Sequence, residues 1–339
     1  MAARGVKFNI ANLPRFTRVN HQLFFRRTAH NLSGDSLKYC QLEKRSLIRV
    51  HGADSVRLLQ GLVTNSVELF HQDGSLKTMY SMFLNAQGRV LYDAMLYKDK
   101  TNSGNPCFLV ECDKNTLPGL LKLMTFYKLR SKVDISRVAD IVPWVIFNEK
   151  SSDTTNLDVK MDSNLISFGR DPRIKELGWR LLLTGGCKPS DLLDGIHGVN
   201  ESSYDIYRVK LGVCEGASEI QPGTALPLEY NLDYINGVSF QKGCYIGQEL
   251  TARTHHTGVI RKRVMPFKFA PVEEVIKLEQ DMAIKTSSGK TSGKLCVVYK
   301  GCGLAVMRIA MLNNNKHYVK DNEGNDVEIH PYVPKWWPE

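Results

Sequence analysis

The chain has 339 residues, 45 Lys and Arg against 35 Asp and Glu, a formal charge of +10, and 42% hydrophobic residues. That length suits two or three domains of roughly 150 residues each, and the apolar content excludes a chain that is mostly disordered. The longest apolar runs, such as residues 144–147, fall far short of the roughly 20 residues that cross a bilayer, so no membrane insertion is expected.

Residues 1–34 carry six of the basic side chains (Arg4, Lys7, Arg15, Arg18, Arg26 and Arg27), no acid, and one serine, Ser33. Acid-free, arginine-rich sequence broken by short apolar patches is the pattern of a transit peptide, and the scarcity of serine favours a mitochondrial address. A disordered basic tail is the alternative. With this leader set aside, 39 basic residues face 35 acidic ones, a net of +4. The remainder is near neutral, which argues against nucleic acid as a partner.

Residues 47–50 read as a short strand. Gly52-Ala53-Asp54 then offers an N-cap, and Val56, Leu59, Leu62 and Val63 recur at helical spacing. Residues 79–84 and 89–97 are apolar runs joined by Asn85-Ala86-Gln87-Gly88, which predicts a β-hairpin. A strand is expected over 107–111, then a helix over 117–129 capped by Thr116 with Pro118 in its first turn, then a strand over 133–135. Residues 151–164 are polar and mark a loop or a boundary. A strand over 179–184 and a helix from Ser203 to near Gly212 follow, then a Gly/Pro/Asn-rich connection over 221–242. Beyond Arg261-Lys262-Arg263, short β-like runs at 264–269, 294–299 and 304–309 predict a small separate β-barrel or sandwich. The fold class is α+β, with a body over 35–260 and an all-β module over 261–339.

The eight cysteines are scattered and none has C-x-x-C spacing, which argues against a zinc ribbon, a redox pair or a disulfide scaffold. Most are expected to be small buried hydrophobes; Cys107 and Cys112 flank Phe108-Leu109-Val110, and Cys296 precedes Val297-Val298. Cys244 is different. It lies in Lys242-Gly243-Cys244-Tyr245-Ile246-Gly247-Gln248-Glu249-Leu250-Thr251-Ala252-Arg253, between two glycines, beside Lys242, and at the expected start of a short helix over 247–254. A helix N-terminus and a nearby ammonium both favour the thiolate, the form that ligates metal. Gly243 and Gly247 permit close approach of another backbone. A tight turn with a half-buried cysteine is the alternative reading.

The string KGCYIGQE resembles the hallmark of the YgfZ family, related to the aminomethyltransferase of glycine cleavage. Residues 249–263, the stretch GADSVRLLQGLVTN, the segment from Asp171 to Arg180, and ALPLEYNLDYINGVSFQKG resemble its mitochondrial branch, which comprises iron–sulfur cluster assembly factors. The resemblance runs from about Tyr39 to the end. It implies an aminomethyltransferase-like fold: two intertwined α+β domains around a central hole, then a C-terminal β-barrel. It also implies a factor of the mitochondrial matrix that helps A-type scaffold proteins mature four-iron client apoproteins such as aconitase and the lipoate and biotin synthases. Cys244 would then be one thiolate ligand of a shared or transient iron–sulfur cluster, with Lys242 and Arg253 favouring its ionised form. No tightly bound cofactor is expected.

Folate-binding relatives hold tetrahydrofolate with two adjacent acids on a hairpin strand. Here Tyr92 stands in the first place and only Asp93 remains, on one strand face with Leu91 and Met95. Burial among such neighbours would suit Asp93 to a neutral pterin contact or to proton transfer, and a satisfied structural carboxylate is the alternative. The Arg-x-Glu-x-Gly pattern of those relatives reads Arg208-Val209-Lys210-Leu211-Gly212, so an acid that would accept from the pterin has become Lys210. Asp93, Arg208 and Glu229 are the folate-cavity candidates, and a folate-dependent one-carbon transferase is the alternative function; an RNA-modification helper is a third. His255-His256 lacks the companions of a zinc site. Arg253, Arg261, Lys262 and Arg263 could face phosphate or an acidic partner. Trp336-Trp337 is expected to clasp the tail.

Overall fold

The computed structural model describes residues 37–99, 104–150, 157–270, 278–313 and 315–338. The leader and its transit-peptide reading lie outside them. Strand β1 (Leu37–Gln41) is followed after three residues by β2 (Arg45–His51), and the two enter different sheets. Helices α1 (Ser55–Leu62) and α2 (Val67–Gln72) lead to the hairpin β3 (Thr78–Leu84) and β4 (Val90–Lys98), then β5 (Cys107–Asp113), α3 (Leu117–Lys128) and β6 (Asp134–Val138). These strands form one sheet in the order β3-β4-β5-β2-β6. The chain then returns to the sheet it began in. Strands β7 (Ile141–Asn148), β8 (Leu165–Arg170), β9 (Trp179–Thr184) and β10 (His197–Gly198) join β1 in the order β10-β1-β7-β9-β8. The second sheet is therefore inserted into the first, which is how the two halves intertwine.

Helix α4 (Pro189–Leu192) precedes β10, α5 (Glu201–Lys210) follows it, and α6 (Gln248–Thr257) follows the long connection. The last strands are β11 (Lys262–Phe269), β12 (Ala283–Thr286), β13 (Thr291–Tyr299), β14 (Cys302–Arg308), β15 (His317–Lys320) and β16 (Asp326–Pro331). They close into a barrel in the order β11-β14-β13-β12-β15-β16. Among the described residues no helix is long and apolar enough to cross a membrane.

Strand alternation sorts the side chains between cores. On β4 and β5, Ala94, Leu96, Phe108, Val110 and Cys112 face the layer with α1 and α3, while Met95, Tyr97 and Leu109 face the other sheet. On β9, Leu182 faces that same central core and Trp179, Leu181 and Leu183 line an outer one. The barrel fills its interior with Met265, Phe267, Leu295 and Met307, whereas its outer wall sends Val264, Leu304 and Cys302 into the central core. One face of the barrel is thus packed into the core of the body.

Of the polar stretch, residues 157–164 are a loop leading into β8, which shares a sheet with β7, so the loop alternative holds there. Expectations about the helix starts need correction. Helix α5 starts at Glu201, with Asn200 Oδ1 accepting from the Ser203 N–H at 3.1 Å. Asp54 and Thr116 hold cap positions without capping. The Asp54 carboxylate accepts from the Lys132 N–H at 2.8 Å, and the Thr116 hydroxyl donates to the Asp113 carbonyl at 3.1 Å.

Candidate functional site

The motif folds as a loop leading into α6, and Cys244 is exposed on it. Six of the other cysteines are buried and Cys187 is intermediate, as their apolar settings implied. The loop is held from behind at three points. The Lys242 ammonium donates to the carbonyls of Gln60, Val63 and Asn65 at 2.7, 2.5 and 2.9 Å, capping the C-terminal end of α1 where carbonyls lack helical partners. The Ile246 N–H donates to the Gly61 carbonyl at 3.1 Å. The Gln248 side chain accepts from the Tyr245 N–H at 3.1 Å, which closes the turn into the helix.

Gly247 supplies the third point. It has φ +78°, and a Cβ there would stand 2.2 Å from the Asn85 carbonyl oxygen, in the turn of the β3–β4 hairpin. Only glycine permits both that conformation and that contact. Gly243 differs, since a Cβ on it would meet nothing within 4 Å. Gly247 therefore serves contact within the chain, and Gly243 leaves open space beside the thiol.

The expected electrostatics of Cys244 are corrected. Lys242 is taken up by three carbonyls, and burial pulls its ammonium down to about 7. Arg253 is exposed on α6, as is Glu249 on its first turn. No hydrogen bond or ion pair joins Lys242 or Arg253 to Cys244 among the described residues. Cys244 lies four residues before Gln248, so it is not at the helix start.

Between the two sheets lies a buried ionic network. Glu111 on β5 accepts from Arg45 Nε at 2.9 Å, from Arg180 Nη1 at 2.7 Å and from the Tyr97 hydroxyl at 2.6 Å. Arg45 Nη1 also donates to both oxygens of Asp93 at 3.2 Å. Arg180 and Arg173 share Asp171, at 3.1 and 2.7 Å, and both contact Glu215. These side chains are between 0% and 8% exposed, so the charges are neutralised by one another rather than by water. Burial alone would raise the Glu215 carboxyl, but Arg180 and Arg173 override it and hold it well below the ordinary range.

Residues 261–339 match the family described as the CAF17 C-terminal beta-barrel domain. The chain is 39% identical to the mouse mitochondrial iron–sulfur cluster assembly factor IBA57, over 88% of this chain and 85% of that one. It is 37% identical to the human protein of that name over the same shares, and 32% identical to the Mycosarcoma maydis homologue over 96% and 92%. The chain belongs to the mitochondrial IBA57 family. In solved structures, its fold is similar to the glycine cleavage aminomethyltransferase T of Bartonella henselae, with a TM-score of 0.68 and 14% identity over 90% of this chain and 87% of that one. That likeness establishes the aminomethyltransferase-like fold.

In this IBA57-family chain the folate candidates are not brought together. Asp93 faces Arg45 rather than an apolar wall. Arg208 is buried on α5 and bonds Glu219 at 2.6 and 2.7 Å and Asp205 at 3.0 Å. Glu229 lies beside the barrel, 3.7 Å from Lys262. Lys210 is exposed, and its carbonyl accepts from the Tyr332 hydroxyl. The donor set does not fit a pterin, because Asp93 is already paired with Arg45 and Arg208 with Glu219 and Asp205.

The IBA57-like stretch from Asp171 to Arg180 turns out to supply Asp171, Arg173 and Arg180 to the network. Arg45, Glu111 and Glu215 were missed; the one signal for Glu111 and Arg45 is a charge at a core-facing position of an apolar strand. Arg263 is no surface cation, since it is buried, pairs with Asp233 at 2.8 Å and stacks on Tyr234. The His255 ring stacks on Phe240 at 3.5 Å, and among the described residues no three His, Cys, Asp or Glu gather as a metal site. Trp336 clasps the tail as expected, donating to the Leu211 carbonyl at 2.6 Å.

Proposed function

We propose that this chain acts in mitochondrial iron–sulfur cluster assembly as the partner of A-type scaffold proteins, lending Cys244 to a cluster that passes on to four-iron apoproteins. The observation that carries this reading is an exposed thiol on a loop fixed by Lys242, Ile246 and Gly247. A fixed, open thiol can meet a partner's iron without ordering a loop first. Thiolates are the usual protein ligands of such clusters, and one thiol leaves the remaining positions to the partner. The cluster is cargo in this reading. The mitochondrial address is that of the family.

The same reading proposes that tetrahydrofolate is not held between the sheets, where Arg45, Glu111 and Arg180 lie. Calorimetric titration with a reduced folate is expected to give no heat of binding. For the main proposal, the mature chain and an A-type scaffold are combined anaerobically with iron and sulfide and followed by visible absorption. The expected result is a cluster band that co-elutes with both proteins and is lost with Cys244→Ser. A band of equal intensity with that variant defeats the proposal.

A further inference from the structure

The outer wall of the barrel carries cations that face one another. Lys262 on β11 and Arg308 on β14 are register partners, so their side chains leave the sheet on the same side. Lys294 on β13 opposes Val306, two residues from Arg308 on that same face. All three line a cavity of about 490 Å³ between the barrel and the connection that runs through residues 221–230. Arg89, from the end of the β3–β4 turn, enters the same cavity from the body.

Two acids accompany these four cations. Asp281 pairs with Lys294 at 2.9 Å, and Glu229 stands 3.7 Å from Lys262. Arg89 donates to the Thr224 carbonyl at 2.7 Å. The Arg308 guanidinium forms no hydrogen bond or ion pair among the described residues. It sits directly opposite Lys262 instead, an arrangement that destabilises a strand pair. Glutamate at 308 would pair across the strands and relieve it. An unfavourable residue at the wall of a cavity is the mark of a site kept for a ligand.

The cavity has the size of a small-molecule site, and Leu226 and Val306 give it an apolar lining beneath the charges. We infer that this cleft binds a small organic anion bearing two or more negative charges, with Arg308, Lys262 and Arg89 as its cationic contacts. Phosphate and carboxylate groups share the chemistry that would satisfy them. The inference does not depend on Cys244 or on cluster transfer.

The test is calorimetric titration of the full chain with inorganic pyrophosphate and, separately, with succinate, at constant ionic strength and with sodium chloride as control. Saturable heat with either probe is expected, and the tighter probe identifies the class of anion. Arg308→Gln should weaken binding by about tenfold or more, the scale of one lost charge-assisted hydrogen bond. Lys300→Gln, an exposed lysine outside the cleft lining, should leave it unchanged. Without ligand, Arg308→Glu should melt at the native temperature or above and should not bind. The inference is overturned if neither probe differs from sodium chloride, if Arg308→Gln binds as tightly as the native chain, or if Arg308→Glu melts well below it.

Discussion

Gly88 and Gly247 lie backbone to backbone. A Cβ on Gly88 would stand 2.9 Å from the carbonyl oxygen of Gly247, and one on Gly247 would stand 3.2 Å from the Cα of Gly88. The turn of an early hairpin thereby fixes the loop that presents Cys244, although 159 residues part them in sequence.

Gly247→Ala should therefore be costly. It adds a Cβ at a left-handed φ and against the Asn85 carbonyl, so a loss of at least about 2 kcal/mol is expected. Gly243→Ala has open space and should melt within a degree or so of the native chain. Thermal melts of both decide whether the two glycines have different roles. Equal melting temperatures would contradict the contact.

Lys242→Met keeps the apolar stem and removes the ammonium from three carbonyls. The unmatched carbonyls should lower stability by about 2–3 kcal/mol, and the loss should be accompanied by faster hydrogen exchange at Ile246. Arginine at 242 is not expected to rescue it, since its planar fork does not match three convergent acceptors around one nitrogen. Protection at Ile246 that is unchanged in the variant would mean that the lysine is not the anchor.

Cys244→Ala should leave the melting temperature nearly unaltered and remove cluster-dependent association, because the thiol is exposed. Cys107→Ala and Cys296→Ala, both buried, should lose roughly 1 kcal/mol each and keep function. Comparison of aconitase activity in complemented cells with melts of the purified variants separates the two classes.

Glu111→Gln tests the network between the sheets. The variant leaves Arg45 and Arg180 short of a buried anion, and a loss of about 3–5 kcal/mol is expected in denaturant melts. A variant as stable as the native chain would show that these arginines find other acceptors.

Glu201 gives a pH dependence of known sign. Burial, reinforced by Asp205, pushes its carboxyl up to about 7 from 4.5. Between those values the folded chain holds a proton that the unfolded chain has lost, so this contribution to stability is present at pH 4.5 and is lost as pH rises through 7. Glu201→Gln should melt higher than the native chain at pH 8 and match it near pH 4.5. The reverse order at pH 8 would refute the assignment.

Much of the local structure was legible in short-range patterns. The β3–β4 hairpin followed from two apolar runs around Asn85-Ala86-Gln87-Gly88, and helix α3 from Pro118 in its first turn, although Thr116 does not cap it. The isolation of Cys244 among otherwise apolar cysteine settings was legible too, because local context decides whether a small thiol is buried. Strands β12 and β15 were not legible, being four residues each and half exposed, too short for alternation to register.

What the charges do depends on the folded chain. Lys242 and Asp93 looked like groups free to act, on a thiol and on a pterin. The fold instead brings carbonyls from residues 60–65 to the first and Arg45 to the second. Arg180 meets Glu111 across 69 residues because the second sheet is inserted into the first. Charge pairing in a buried site depends on which side chains converge within a few ångströms, and sequence separation carries no record of that distance.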